Sequence, residues 1–175
     1  MNEIERERVF LMKKIPPRLK QCKHIVIKVG DFFDSNAIDA LKLKQKGDAF
    51  FLVKKEGDSA RKRIEHSISI KKEEFEILWK TTVQHHEKIR YLYQMDDATL
   101  CEIDFYQGRL QGYVRIEVEF KTEKGLNAFK APDWFGEEIT QYNHDIHEEL
   151  GKVTFKQMKE RYLKKSLQLK RVSTP

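Results

Sequence analysis

An α+β, mainly β fold built on an antiparallel sheet is predicted by three features of this 175-residue chain. Short segments alternate charged and apolar residues with a period of two, turn residues separate those segments closely, and few stretches carry helical spacing. About eight strands joined by short turns predict an antiparallel barrel or sandwich.

Taken in order, the first segment sets Glu3, Glu5 and Glu7 on one face, opposite a mixed face. His24 to Val29 and Phe50 to Lys55 read as strands. In Leu41-Lys42-Leu43-Lys44 the lysines take one face and the leucines the other, and Lys46-Gly47-Asp48 makes a hairpin turn to the Phe50 strand. From Arg61 to Ile70, Arg61, Arg63 and Glu65 oppose Ile64, Ile68 and Ile70. Lys71 to Val83 places Phe75, Leu78 and Trp79 on one helical stripe that should pack on the sheet. Lys88 and Arg90 oppose Ile89, Tyr91 and Tyr93; Glu102 and Asp104 oppose Cys101, Ile103 and Phe105. Gly108 and Gly112 loosen the link to Val114–Phe120, where Arg115, Glu117 and Glu119 alternate with Val114, Ile116, Val118 and Phe120 over seven residues. Asn143 to Leu150 reads as a short helix, with Asn143 a candidate N-cap. Thr154 and Gln157 fit a capping box that opens a basic C-terminal helix reaching Leu169, through Phe155, Met158 and Tyr162. With no repeat or linker, a single domain over residues 1–170 is expected, and 171–175 form a frayed tail.

Composition narrows the class. Hydrophobic residues make up 39% and charged residues 35%, while 11% are aromatic; the chain is highly charged yet holds enough aromatic bulk to build a core. No apolar run approaches the length of a membrane span, and acid stands where a signal peptide needs a basic start. Cys22 and Cys101 show no framework spacing, so two reduced thiols in a cytoplasmic protein are expected. The net charge of +6 comes from 34 basic and 28 acidic residues. That excess admits an anionic partner, but aromatics lie opposite the bases on the strands rather than interleaved with them as stacking platforms, which argues against nucleic acid.

The sign of the charges is sorted by strand. Acids gather at Glu3–Glu7, Glu102–Asp104 and Glu117–Glu119. Bases gather at Lys42–Lys44, Arg61–Arg63 and Lys88–Arg90. One solvated face of a sheet would account for alternation alone, but such a face mixes signs. A charged lumen that takes a metal-bound polyphosphate separates them: carboxylates for a hard divalent cation, lysine and arginine for phosphate oxygens. Other polar groups read as structural. His85-His86 and His144-x-x-His147 suit surface or turn positions, since adjacent histidines on a strand point opposite ways. Lys13-Lys14 and Lys164-Lys165 suit solvent, and Trp134, after Pro132, suits a packing anchor.

Five segments in order resemble the CYTH domains, the triphosphate tunnel metalloenzymes. Glu5-Arg6-Glu7-Arg8-Val9-Phe10-Leu11 is similar to the family's Glu-x-Glu-Arg-Lys-Phe-Leu opening, and Lys88-Ile89-Arg90-Tyr91 to its Lys-x-Arg-Tyr strand. Glu102-Ile103-Asp104-Phe105, then Gly108 and Leu110, resembles Glu-Ile-Asp-x-Phe-x-Gly. Glu117-Val118-Glu119-Phe120 resembles Glu-Val-Glu-Leu, and Pro132 to Thr140 resembles Pro-x-Trp-Leu-Gly-x-Glu-Val-Thr. The resemblance implies an eight-stranded antiparallel β-barrel, a tunnel with a few packing helices and a C-terminal helix. In it Mg²⁺ or Mn²⁺ and a ring of bases hold a triphosphate for hydrolysis. The implied substrate is a small triphosphate: inorganic tripolyphosphate, thiamine triphosphate or a nucleoside triphosphate.

Carried over by position, the implied metal ligands are Glu5, Glu7, Glu102, Asp104, Glu117 and Glu119. The implied substrate clamp is Lys42, Lys44, Arg63, Lys88, Arg90 and Arg115, with a further lysine at Lys54 or Lys55. Glu5, Glu7, Asp104 and Lys88 are the implied catalytic set. Four positions depart from the family pattern: Val9 replaces its opening lysine, Lys42 and Lys44 replace paired arginines, and Ser67 replaces a second acid after Glu65. Triphosphate hydrolysis is the leading expectation, from a monomer or homodimer. Adenylate cyclase chemistry on the same barrel and binding without turnover are the alternatives.

Overall fold

A computed structural model describes residues 3–33, 40–59, 62–96, 99–143, 146 and 149–162, without the side chains of 3–5, 57–59, 62 and 63. The strands are β1 (Glu3–Glu5), β2 (Glu7–Met12), β3 (His24–Asp31), β4 (Ala40–Lys46), β5 (Ala49–Ser59), β6 (Lys62–Ile70), β7 (Gln84–Gln94), β8 (Leu100–Tyr106), β9 (Val114–Glu119) and β10 (Phe135–Glu138). The helices are α1 (Lys72–Trp79), α2 (Glu123–Ala128) and α3 (Phe155–Tyr162).

All ten strands form one sheet in the order β1-β6-β5-β4-β3-β7-β8-β9-β2-β10, and every pairing is antiparallel. β1 and β2 are two halves of one N-terminal run interrupted at Arg6, so the sheet holds nine continuous runs of chain. The first half pairs with β6, Glu5 opposite Arg63. The second pairs with β9, Glu7 opposite Glu119. This corrects the eight-stranded expectation: the count is nine, and the hydrogen-bonded ladder among the described residues is open, with β1 and β10 at its ends.

Alternation sorts side chains onto two faces. On the outer face, Phe10, Met12, Tyr91, Ile103, Phe105, Ile116 and Val118 pack with Trp134 and Phe135. Trp134 meets Tyr93 edge-on at 5.3 Å, the packing role its place after Pro132 implied. On the inner face, Val9, Leu11 and Tyr106 pack with Leu110, Tyr113, Ile139, Ile146, Leu150, Val153 and Met158. The C-terminal segments thus close one end of the inner face with apolar side chains.

The turns follow the residues that make them. Gly47, at φ +59°, opens the β4–β5 hairpin. Gly30 lets α1 approach the sheet: a Cβ there would lie 2.9 Å from the Trp79 ring and 2.8 Å from Thr82 Oγ1. α1 is shorter than the Lys71–Val83 segment expected, and Phe75, stacked on Trp79 one turn later in the same helix, anchors it against Phe50. At α3, Thr154 N–H donates to Gln157 Oε1 and Gln157 N–H to Thr154 Oγ1, so the capping box is formed; its expected continuation to Leu169 lies outside the described residues, as do His144, His147, Lys164 and Lys165. Ile64 and Ile68, on the apolar side of β6, are exposed, while α1 packs over Phe50 through Phe75.

Ile116 is fully enclosed on β9. Ile116→Ala should cost about 2–5 kcal/mol, read as a lowered urea midpoint at unchanged slope.

Candidate functional site

The site is built on β7, β8 and β9. In register, Lys88 faces Tyr106 and Arg90 faces Asp104; Asp104 faces Arg115 and Glu102 faces Glu117. Cross-strand partners share a face, so two-residue alternation on three adjacent strands gathers three bases and three acids on the inner side. The apolar partners of these residues fill the outer core, which holds each strand in that register.

Asp104 is the centre of the cluster and has no solvent exposure. Arg90 donates to it twice, from Nε and from Nη2, each at 2.7 Å, and Lys88 Nζ donates to Oδ2. Arg90 also reaches Glu102 and Glu117, bridging two acids that stand directly opposite one another. Arg115 donates to Glu117 and, at 2.9 Å, to Asn143 Oδ1. Asn143 Nδ2 in turn donates to Glu7 Oε1 at 3.4 Å.

Burial works against each charge, and the neighbours decide the outcome. Burial raises the Asp104 and Glu117 carboxyls, yet Arg90 and Lys88 hold Asp104 below the usual carboxylate range, and Arg115, Arg90 and Lys88 hold Glu117 well below it. Lys88 is pushed down to about 8 by burial, with the like charge of Arg90 adding to the effect and Asp104 opposing it. Burial likewise lowers Lys44. The Cys101 thiol, on the opposite face, is pushed up to about 12 by burial and is no nucleophile.

A second group of charges comes from β3 to β6. Lys42 is buried, 3.2 Å from Asp31 Oδ1. Lys44 follows it on the same face, since Asp31 pairs with Lys42 and Val29 with Lys44. Lys55 lies 2.8 Å from Glu65 Oε2. Lys54 points the other way, 3.7 Å from Glu56. Of the two candidates for the further lysine, Lys55 is therefore on the charged face and Lys54 is not. Glu5 and Arg63 occupy facing register positions on β1 and β6, but their side chains lie outside the described residues. Glu119 is exposed at the open end, opposite the buried Glu7. Val9 is enclosed among apolar neighbours.

Three groups join the site that sequence reasoning placed elsewhere or passed over. His86 is buried on the inner face, correcting the surface reading of the His85-His86 pair; burial and the charges of Lys42, Lys88 and Arg115 keep its pKa well below the ordinary value. Counting back by two from Arg90 through Lys88 would have found it. His85, its neighbour, stacks on Trp79 at 4.5 Å. Asn143, expected as an N-cap, links Arg115 to Glu7. Asp31 continues the period of Ile27 and Val29 on β3.

Such a face can hold a polyanion. It offers fixed cations, and at its other side the carboxylates of Glu7, Glu117 and Glu119 are hard oxygen donors. Among the described residues no three metal-ligating side chains converge into a cage. No described helix is long and apolar enough to cross a membrane.

Comparison with known proteins gives a consistent picture. An inorganic triphosphatase of Nitrosomonas europaea is 35% identical over 143 residues, spanning 81% of this chain and 91% of the relative. A crystal structure of an inorganic triphosphatase superposes with a TM-score of 0.64 at 31% identity, over 84% of this chain and 97% of that one. A Hippeastrum adenylyl cyclase-like protein, reported to have a dominant triphosphatase activity, shares the fold at 13% identity with a TM-score of 0.52, over 73% of this chain and 83% of that one. No protein-family model matches the chain.

Asp104→Asn would leave Lys88 and Arg90 buried with their shared counter-charge gone. A loss of about 3–5 kcal/mol is expected, measured by denaturant unfolding; a loss within error of zero would mean that the cluster is held by packing rather than by charge.

Proposed function

This chain belongs to the inorganic triphosphatase family, the triphosphate tunnel group whose motifs it carries, and on that premise we propose that it hydrolyses a triphosphate compound, inorganic tripolyphosphate first among them, with a divalent cation on the charged inner face. The observation that carries this reading is the gathering of Lys42, Lys44, Lys55, Lys88, Arg90 and Arg115 on one face, interleaved with the acids Asp31, Glu65, Glu102, Asp104 and Glu117 that pair with them, beside the carboxylates of Glu7 and Glu119 at the open end.

The proposed tunnel is the inner face wrapped around its substrate. The N-terminal run supports this, since its first half is hydrogen-bonded to β6 and its second to β9, so one continuous strand ties the two arms of the sheet together.

The donor set suits Mg²⁺ or Mn²⁺. Like charges directly opposite on a sheet repel. Arg90 bridges the Glu102–Glu117 pair, and Glu7 and Glu119, one strand over, stand directly opposite one another and place two further carboxylates side by side where a divalent cation would be held. Mg²⁺ commonly takes one or two carboxylates, keeps several waters and completes its shell with substrate phosphates, so it needs no protein cage. Glu7 and Glu119, with Glu5 and Glu117 beside them in register, would hold it. When bound, the cation neutralises developing charge on the phosphate oxygens.

The chain's own residues do the rest. Lys42, Lys44, Lys55, Lys88, Arg90, Arg115 and, from β6, Arg63 clamp the oxygens and stabilise the departing group. Asp104 and Glu102 fix Arg90 and Lys88 for that task and are positioning residues. Water attacks a terminal phosphorus, the bridging P–O bond breaks, and from tripolyphosphate the products are pyrophosphate, orthophosphate and a proton.

Purified protein incubated with tripolyphosphate, ATP and thiamine triphosphate, each with Mg²⁺, Mn²⁺ or EDTA, should release phosphate from at least one substrate in a metal-dependent way. Glu7→Gln should lower kcat/KM by about 10²-fold or more; undiminished turnover would remove Glu7 from the site. Cyclic AMP and pyrophosphate from ATP would identify cyclisation instead. The pH profile follows from Lys88, whose ammonium form grips phosphate. Its value of about 8 in the free protein means that kcat/KM is full below that pH and falls as pH rises through it. A profile flat across that value would mean that Lys88 does not contact the substrate.

A further inference from the structure

On the side of the sheet away from the charged face lies a cavity of about 380 Å³ that no step above uses. Its lining includes Lys28, Trp79, His85, Glu87, Gln107 and Arg109. His85 and Glu87 alternate along β7 with the inward-facing His86 and Lys88, and Lys28 stands opposite Glu87 in register. The cavity therefore opens on the outer wall. Its volume falls within the range of about 300–1,000 Å³ typical of small-molecule sites.

Two features select the ligand. The first is a series of stacked rings that ends at the cavity. Phe75, Trp79 and His85 follow one another with ring centres 5.2 and 4.5 Å apart. The indole already stacks on two rings, whereas His85 has Trp79 alone against it among the described residues. The imidazole is tied at Nε2 to Thr82 Oγ1, 2.6 Å away, and is partly exposed. It offers a fixed, flat surface on which a planar group can stack.

The second feature is a cation without a carboxylate. Arg109 is exposed, and its Nη2 donates to the backbone carbonyls of His85 and Leu150. Among the described residues it makes no ion pair. Neutral acceptors thus orient the guanidinium, while its charge and remaining N–H groups stay available to an anion. Lys28 Nζ lies 4.0 Å from Glu87, so those two charges offset each other and Arg109 is the uncompensated one.

We propose that this outer cavity binds a planar heterocycle carrying an anionic group, of the class of a nucleoside monophosphate, with the ring on His85 and the phosphate on Arg109. The sheet itself separates this second site from the triphosphate face, and the proposal does not depend on the triphosphate reading.

Calorimetry on the parent protein titrates adenosine monophosphate, adenosine and ribose phosphate, in EDTA with tripolyphosphate present in excess to occupy the inner face. In Trp134→Phe, Trp79 is the remaining tryptophan, and its emission is followed alongside. The monophosphate should bind and change that emission, with adenosine and ribose phosphate each about tenfold weaker or more. Arg109→Gln and His85→Leu should each weaken the monophosphate about tenfold and leave tripolyphosphate turnover at the parent rate. Neither heat nor a change in emission at millimolar monophosphate overturns the proposal. Parent-like Kd in both variants, ribose phosphate binding as tightly as the monophosphate, or displacement of the monophosphate by tripolyphosphate overturns it too. A parent protein that binds the monophosphate but does not turn over tripolyphosphate overturns the triphosphate reading and leaves this site standing.

Discussion

The Arg90–Asp104 contact is the constraint on which the inner face depends. A carboxylate with no exposure to water exists as an anion only because a guanidinium grips it through two nitrogens and an ammonium adds a third donor. Arg90 then extends to Glu102 and Glu117, so three strands are linked through one side chain. The arrangement keeps Lys88 and Arg90 rigid and partly desolvated, and a polyanion meeting such groups causes little reorganisation in them.

Apolar and polar demands divide the molecule along the strands rather than between layers. The outer core under Trp134 and Phe135 sets the register of β2, β8 and β9, and register in turn decides which charges meet inside. On the inner face the same strands change character along their length, from Glu7 to Val9 and Leu11 on β2 and from Asp104 to Tyr106 on β8. A polar site therefore sits directly on an apolar stopper.

The period-two pattern made most of this legible. Strict alternation from Lys88 to Tyr93, from Cys101 to Phe105 and from Val114 to Phe120 assigns faces residue by residue, and the structure keeps those assignments. The pattern fails where tertiary packing decides. Lys54 and Lys55 are adjacent and alike in chemistry, so only pairing with Glu65 separates them. Ile64 and Ile68 alternate as well as any core strand yet remain exposed, while α1 packs over Phe50. His86 was hidden by its twin: a histidine pair reads as a local feature, whereas on a strand one member goes in and the other goes out. Strand count was obscured at Arg6, where one run of sequence serves two different partners.

The tie made by the N-terminal run has a consequence for synthesis. β2 carries Val9, Phe10, Leu11 and Met12, all buried in the finished protein, and its partners are β9, at Val114–Glu119, and β10, at Phe135–Glu138. A ribosome adding about 5–20 residues per second therefore holds that apolar strand without a ladder for on the order of ten seconds. Contacts of such long sequence separation also form slowly. The β3–β4–β5–β6 meander, whose neighbours in the chain are its neighbours in the sheet, can assemble while β2 waits. A strand made early in the chain is among the last to find its place, and a chaperone that shields nascent apolar segments would meet the chain at β2.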